Sequence, residues 1–336
     1  LSKADMCNEN SSICECNFEY NPYESPENFL LGVFALPLII FGIITNIFSV
    51  LIFTHESMKN SSINWYLTVI SLSDSLILIA AFFVLTLPRI AELLHCWSAL
   101  TLSYVLSPCM YGFMTMAQTI SVWMTTGVAL HRYTGVCFPF QSISLLRPKN
   151  VRMFLSGILF MAFLFNGSRF FEVHIIDNCF RSNINYIIPV IEQTSLRLNP
   201  TYRTIFYGWA YTIAMFIIPF SVLIFVNIMV VIAIRKSNRL HHTSGANPMS
   251  HKKSESKERQ TTIMLVAIVL MFLACNFLAF VVNILENIAP DSDLFKTLVP
   301  CNNLLVSKKV NTEIYIVHIL GHCECFMQCF DIRNFF

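Results

Sequence analysis

The feature that most narrows the folds open to this chain is the spacing of its charges. Asp, Glu, Lys and Arg are missing from long apolar stretches: Asn28 to Thr54, Asn60 to Pro88 apart from Asp74, Cys96 to Leu130, Met153 to Ser168, Thr204 to Ile234 and Gln260 to Leu285. In hydrocarbon only a helix satisfies its own backbone groups, and a bilayer core of ~30 Å takes ~20 residues of it. Each stretch therefore predicts a spanning helix, the short fourth one with Arg152 and Arg169 snorkelling at its ends. Charged residues make up only 12% of the chain, against ~25% in soluble proteins.

A seventh helix is expected near Thr297 to Gly321, but Lys308, Lys309 and Glu313 interrupt it. Its longest uncharged run, Thr297 to Ser307, has eleven residues and contains Pro300. The expected architecture is an all-α membrane protein, a seven-transmembrane helix bundle with an atypical seventh helix whose completeness those charges put in doubt. An acidic N-terminal segment (1–28) precedes a bundle (29–321) with helices at 29–54, 63–88, 102–131, 152–170, 204–234, 260–285 and 297–321, and a tail covers 322–336. No apolar run with a cleavage site precedes Leu30, so the first hydrophobic stretch is expected to direct insertion.

Lys and Arg favour the cytoplasmic side of a membrane. Segments 55–62, 131–152 and 235–259 hold twelve Lys/Arg and three Asp/Glu, whereas 1–27, 89–99, 169–203 and 286–297 hold seven and thirteen. The amino terminus is thus expected outside, which makes Asn10 in Asn10-Ser11-Ser12 a glycosylation acceptor. The acidic exterior suits a cationic ligand. No catalytic motif, phosphate loop or nucleic-acid signature is present, and no enzyme class or nucleic-acid partner is supported. A secondary transporter would show inverted repeats and several midplane ionisable groups, whereas the six clear helices carry only Asp74.

Polar groups within spanning helices are costly and so point to function. Asp74 lies near the middle of the second helix and Asn46 at similar depth in the first. His131-Arg132-Tyr133 follows the third, then Val136-Cys137-Phe138-Pro139-Phe140; Pro219 sits within the fifth, and Lys257-Glu258-Arg259 opens the sixth. In this order the set resembles the rhodopsin-like G-protein-coupled receptors. A narrower resemblance, to FMRFamide-type neuropeptide receptors of invertebrates and of nematodes in particular, is carried by Asn166 to Glu172, Leu196-Arg197-Leu198-Asn199, Tyr202, Trp209, Pro219-Phe220, Asn227, Cys275-Asn276 and Asn283 to Glu286.

The resemblance implies a multi-pass plasma-membrane receptor for an amidated Arg-Phe neuropeptide that activates a heterotrimeric G protein through segments 131–152 and 235–259. The ligand's Arg would meet Glu172, Glu192 or Glu286, while Phe170, Phe171, Tyr207 and Trp209 offer aromatic surface. Arg132 would act as the switch, flanked by His131 and Tyr133, with Asn311 and Tyr315 the remnant of the seventh-helix motif. Relatives carry an acid where His131 stands, and helix six lacks their proline and tryptophan after Cys275. Asp74, Ser121 and Asn46 resemble an inner sodium site, oxygen ligands suiting a hard cation; no other cofactor is implied. The expected outer bridge joins Cys179 to Cys109, with Cys96 the competitor. His131 and the broken seventh helix also fit an alternative, a non-signalling or truncated receptor-like protein.

Overall fold

The computed structural model describes residues 14–15, 29–56, 58, 61–181, 185–243 and 281. The sixth span apart from Val281, the seventh span, the 244–259 part of the basic loop, Asn10, Glu286, Asn311 and Tyr315 lie outside them. A π-helical turn, Phe29–Phe34, leads into α1 (Ala35–Thr54). α2 (Ser62–Ala81) continues through a π-turn, Phe82–Thr86, into α3 (Leu87–Leu93). Next come α4 (Trp97–Cys137), α5 (Pro139–Leu145) and α6 (Pro148–Asn166), which closes in a 3-10 turn, Gly167–Phe171. The fifth span is built from α7 (Ser195–Leu198), α8 (Pro200–Tyr202), π-helical stretches Arg203–Tyr211 and Ile213–Ile217, and α9 (Ile218–Thr243). Four of these runs, Leu31–Thr54, Ser62–Leu93, Pro148–Phe171 and Pro200–Ala233, are long and apolar enough to cross a membrane.

Three of the π-helical turns end just ahead of a proline: Phe29–Phe34 before Pro37, Phe82–Thr86 before Pro88, and Ile213–Ile217 before Pro219. A proline lacks the N–H and its ring collides with the carbonyl four residues back. Widening the preceding turn moves that carbonyl away, so the helix continues. Pro108 lies inside α4 without such a turn.

α4 is the hub. One core cluster joins Ala35, Ile39, Ile77 and Leu78 to its Ala117. A second sets Tyr66, Ile70, Val151, Leu155 and Ala162 around Ile120 and Met124, and a third packs Met215, Phe216 and Leu223 on Val122. A helix buried on most sides can carry hydroxyls, provided they are satisfied. Those of Ser107, Thr115, Thr119, Thr125, Thr126 and Thr134 each bond a carbonyl one turn back. The opposite extreme is α6, whose Met153, Phe160, Met161, Phe163 and Leu164 are exposed, as a lipid-facing surface requires.

The loop between α6 and the fifth span departs from an all-helical expectation. It folds as an antiparallel pair, β2 (Val173–Arg181) and β3 (Tyr186–Gln193), while β1 (Cys14–Glu15) adds to β2 in parallel. Runs such as Tyr-Ile-Ile and Val-Ile are rich in β-branched and aromatic residues that favour strands. β3 is an edge strand, where Pro189 is tolerated despite its missing N–H. Asn185, with φ of 50°, opens the return from the turn, a left-handed position that Asn accepts more readily than most residues.

Candidate functional site

Among the described residues, the densest set of polar contacts joins the Tyr111 region of α4, the turn after α6 and the start of the fifth span. The 3-10 turn sets Arg169 and Glu172 three residues apart. Thr194 then ties the chain back over this turn, its N–H donating to the Glu172 carbonyl (2.9 Å) and its hydroxyl to that of Phe171 (2.8 Å). That bond places α7, and with it Arg197, against Glu172. Asn199 caps α8 by accepting from the N–H groups of Thr201 (2.9 Å) and Tyr202 (3.3 Å), which orients the helix carrying Tyr202 and Tyr207.

Glu172 is completely buried, and four donors converge on its carboxylate. Arg197 Nη1 approaches Oε2 at 3.0 Å and Arg169 Nη1 at 3.5 Å. The Tyr207 hydroxyl donates to the same oxygen, and the Tyr202 hydroxyl to Oε1 at 2.7 Å. The Tyr111 hydroxyl accepts from Arg169 (3.3 Å) and Arg197 (3.1 Å), and that of Tyr207 accepts from Arg197. Arg169, only 2% exposed, also lies over the Tyr207 ring at 3.9 Å, with the Phe206 and Tyr211 rings at 5.0 and 5.1 Å. Buried charges persist only when paired and hydrogen-bonded. Here two guanidiniums share one carboxylate, and aromatic faces carry part of the remaining positive charge.

Three of these donors reach Oε2 and one reaches Oε1 of the buried carboxylate. Glu192 is half-buried on β3, opposite His174. Phe171 and Trp209 are 71% and 67% exposed, whereas Tyr207 is buried in the charge cluster. Phe170 instead packs edge-on to Phe113, with centroids 5.2 Å apart, over Gly112. Cys109 and Cys96 are both exposed with free thiols. The sheet register sets the backbone of Cys179 opposite that of Cys14.

Deeper in the bundle, Ser121 donates to Asp74 Oδ1 at 2.9 Å, and both are buried. Asn46 is also fully buried, and neither its nitrogen nor its oxygen has a hydrogen-bond partner among the described residues. Asn166, in an Asn-Gly-Ser triplet, is buried too and donates to the Thr119 hydroxyl (2.9 Å).

At the opposite end, His131 packs edge-on to Tyr66 (5.6 Å), and its Nε2 has no hydrogen-bond partner among the described residues. Tyr133 meets the rings of Phe138 (5.6 Å), between α4 and α5, and of Phe225 (6.3 Å) on α9. α5 presents Phe140 at 91%, Ile143 at 73% and Leu145 at 55% exposure.

The family of serpentine-type seven-transmembrane G-protein-coupled chemoreceptors known as Srw matches residues 34–328. The chain belongs to this receptor family. It is a multi-pass membrane receptor, not an enzyme, and it resembles invertebrate FMRFamide receptors. The FMRFamide receptor of Drosophila melanogaster is 28% identical over 309 residues, covering 90% of this chain and 54% of that protein. In Caenorhabditis elegans, the protein named "Probable G-protein coupled receptor frpr-1" is 28% identical over 321 residues, covering 89% of this chain and 78% of its own length. The FMRFamide peptide receptor frpr-18 is 27% identical over 264 residues, 78% of this chain and 58% of that receptor. The chain thus spans little more than half of the Drosophila relative.

Sequence reasoning passed over Arg169 and Arg197 as functional residues of the receptor. Their signal was present in Arg169-Phe170-Phe171-Glu172, whose ends stand three apart and so share a helical face, but the partnership with Arg197 depends on the loop's return.

The His131 geometry gives a direct expectation. A carboxylate at this half-exposed position would pair with Arg132, a contact of ~0.2–1 kcal/mol. His131→Glu should therefore lower ligand-independent signalling by up to about fivefold, measured as basal G-protein activation at equal surface density.

Proposed function

We propose that this chain is a plasma-membrane receptor, amino terminus outside, for a short FMRFamide-like peptide ending in an Arg-Phe-amide group, and that it signals through a heterotrimeric G protein. The observation that carries the reading is the 28% identity to an FMRFamide receptor over 90% of this chain, a span that includes every element of the outer cluster. The peptide's Arg meets Glu192 or Glu286, and its aromatic rings meet Phe171 and Trp209. The Glu172 cluster orders the floor beneath them. Asp74, Ser121 and Asn46 supply a carboxylate, a hydroxyl and a carboxamide oxygen, a donor set that fits a sodium ion. Bound there, the ion would neutralise the Asp74 charge and favour the inactive packing.

The deciding experiment applies FMRFamide to cells displaying the receptor and reads G-protein activation. Citrulline in place of the peptide's Arg should weaken the response at least tenfold, ~1.4 kcal/mol. On Glu192→Gln or Glu286→Gln, whichever carries the contact, the same change should cost little. Equal losses on every background would remove both acids as partners.

Coupling runs through Arg132, Tyr133 and the exposed face of α5. Burying a Phe side chain contributes ~1.5–3 kcal/mol, so Phe140→Ser should reduce G-protein activation tenfold or more while peptide binding stays intact. A parallel loss of binding would make Phe140 a structural residue.

The interrupted seventh segment favours the alternative of a receptor-like protein that does not signal, since a Lys at the centre of an inserting helix costs ~2.5–3.5 kcal/mol. Delivery to the cell surface without any response to peptide supports that alternative.

A further inference from the structure

Two cysteines far apart in the chain meet at facing positions of one sheet. β1 pairs with β2 in parallel, and the register sets Cys14 against Cys179 and Glu15 against Phe180. Neighbouring strands lie ~4.7–4.9 Å apart, within the ~4.4–6.8 Å between Cα atoms that a disulfide spans. Residues opposite one another in a ladder also share a face of the sheet. Cys14 and Cys179 therefore stand where a bridge closes without moving the backbone. Cys109 and Cys96, the partners that the family resemblance implies for Cys179, are exposed with free thiols.

The shortness of β1 points the same way. It is two residues long, so its ladder sets few hydrogen bonds against the entropy of ordering the amino-terminal segment. A bridge at its first residue closes a long stretch of chain covalently and removes much of the freedom that the segment would regain by leaving. The hairpin that receives it is itself anchored. β2 begins at Val173, next to Glu172, and β3 ends at Gln193, where Thr194 is tied back to the Glu172 carbonyl. Ile188 of β3 packs with Ala91 of α3 and Leu100 of α4.

We infer that Cys14 and Cys179 form a disulfide that fastens the amino-terminal segment to the hairpin beside the Glu172 cluster. In this step two thiols lose two protons and two electrons as one S–S bond forms. The electrons pass to the disulfide of a thiol–disulfide oxidoreductase in the secretory compartment, which leaves as the dithiol. The inference rests on the outward amino terminus of the receptor reading, since thiols on the cytoplasmic side are kept reduced.

The test maps the cysteines of the unmutated full chain, so no variant has to fold. Free thiols are blocked with N-ethylmaleimide on intact cells and through lysis, and asparagine-linked glycans are removed with an amidase that converts the glycosylated Asn to Asp. The purified receptor is then cut, without reduction, by a protease that cleaves after Glu. Cleavage isolates Cys14 in 10–15, Cys16 in 16–19 and Cys179 in 173–192, while Cys96, Cys109 and Cys137 stay together in 93–172. The expected result is that most of the 173–192 peptide is recovered joined to 10–15, at the summed mass less two hydrogens, and that reduction splits the pair. Cys179 joined to any other peptide, whether 93–172 or 16–19, overturns the inference and leaves the outward terminus standing, because that bridge also needs the oxidising side. Cys14 and Cys179 recovered as maleimide adducts overturn it as well, and Asn10 then separates the two readings. Its conversion to Asp keeps the amino terminus outside, whereas an unmodified Asn10 beside free thiols overturns both.

Discussion

Glu172→Gln should abolish surface delivery of this receptor rather than merely weaken its response to a ligand. The substitution keeps the shape of the side chain but removes a carboxylate charge that Arg169 and Arg197 both contact, and Arg169 is only 2% exposed. Removing one partner of a buried pair costs roughly 3–5 kcal/mol, because the remaining charge is left uncompensated. That is a large part of the ~5–15 kcal/mol by which folded proteins are stable. The measurement is antibody staining of intact cells against total protein. Adding Arg169→Gln to Glu172→Gln should recover part of the loss, since the deeply buried guanidinium is then gone and the Arg197 side chain, 19% exposed, reaches water. Normal staining of the single variant would place the carboxylate outside the stabilising network. Ligand assays on Glu172 variants therefore need surface density measured alongside.

Gly112→Val should be the next most damaging substitution. A Cβ at this position would lie 2.5, 2.6 and 2.7 Å from Phe170 ring carbons, nearer than side-chain atoms approach. Phe170 cannot easily swing aside, because its ring is set edge-on against Phe113 and its backbone belongs to the 3-10 turn that positions Arg169. Overpacking of this kind costs ~1–3 kcal/mol. Valine adds two further methyl groups, so the upper half of that range is expected. The loss should appear as a lower Tm of purified receptor, and Phe170→Ala in the same chain should restore most of it. Failure of that rescue would mean that Gly112 serves helix α4 itself rather than the turn beside it.

The glycine also shows what a linear reading can and cannot reach. Within α4 Gly112 looks like an ordinary small residue. Its role becomes visible only when the 3-10 turn, 58 positions on by the number of Phe170, is laid against it. The outer acids follow the same pattern. Charge sign makes Glu172 a candidate for the ligand side of the membrane, and Thr194 folds the chain back so that Arg197 meets its carboxylate. The β-hairpin over the site was likewise not anticipated, although its Tyr, Ile and Val residues carried the signal. A short apolar run is ambiguous between strand and helix until its partner is known.

By itself the sequence determined that the chain is a membrane-spanning helical receptor. Hydrocarbon excludes other backbone arrangements, uncharged runs mark the spans, and the ordered set from Asp74 through Arg132 to Pro219 carries the family resemblance. The tertiary structure alone decided which polar groups are spent inside the protein and which face the outside. Pairing between Glu172 and two arginines, burial of Asn46 and exposure of Phe140 all depend on segments distant in the chain arriving at one place. Local pattern specifies an element and the side of the membrane it occupies. Whether a charge on that element is available to a ligand depends on the neighbours that folding brings to it.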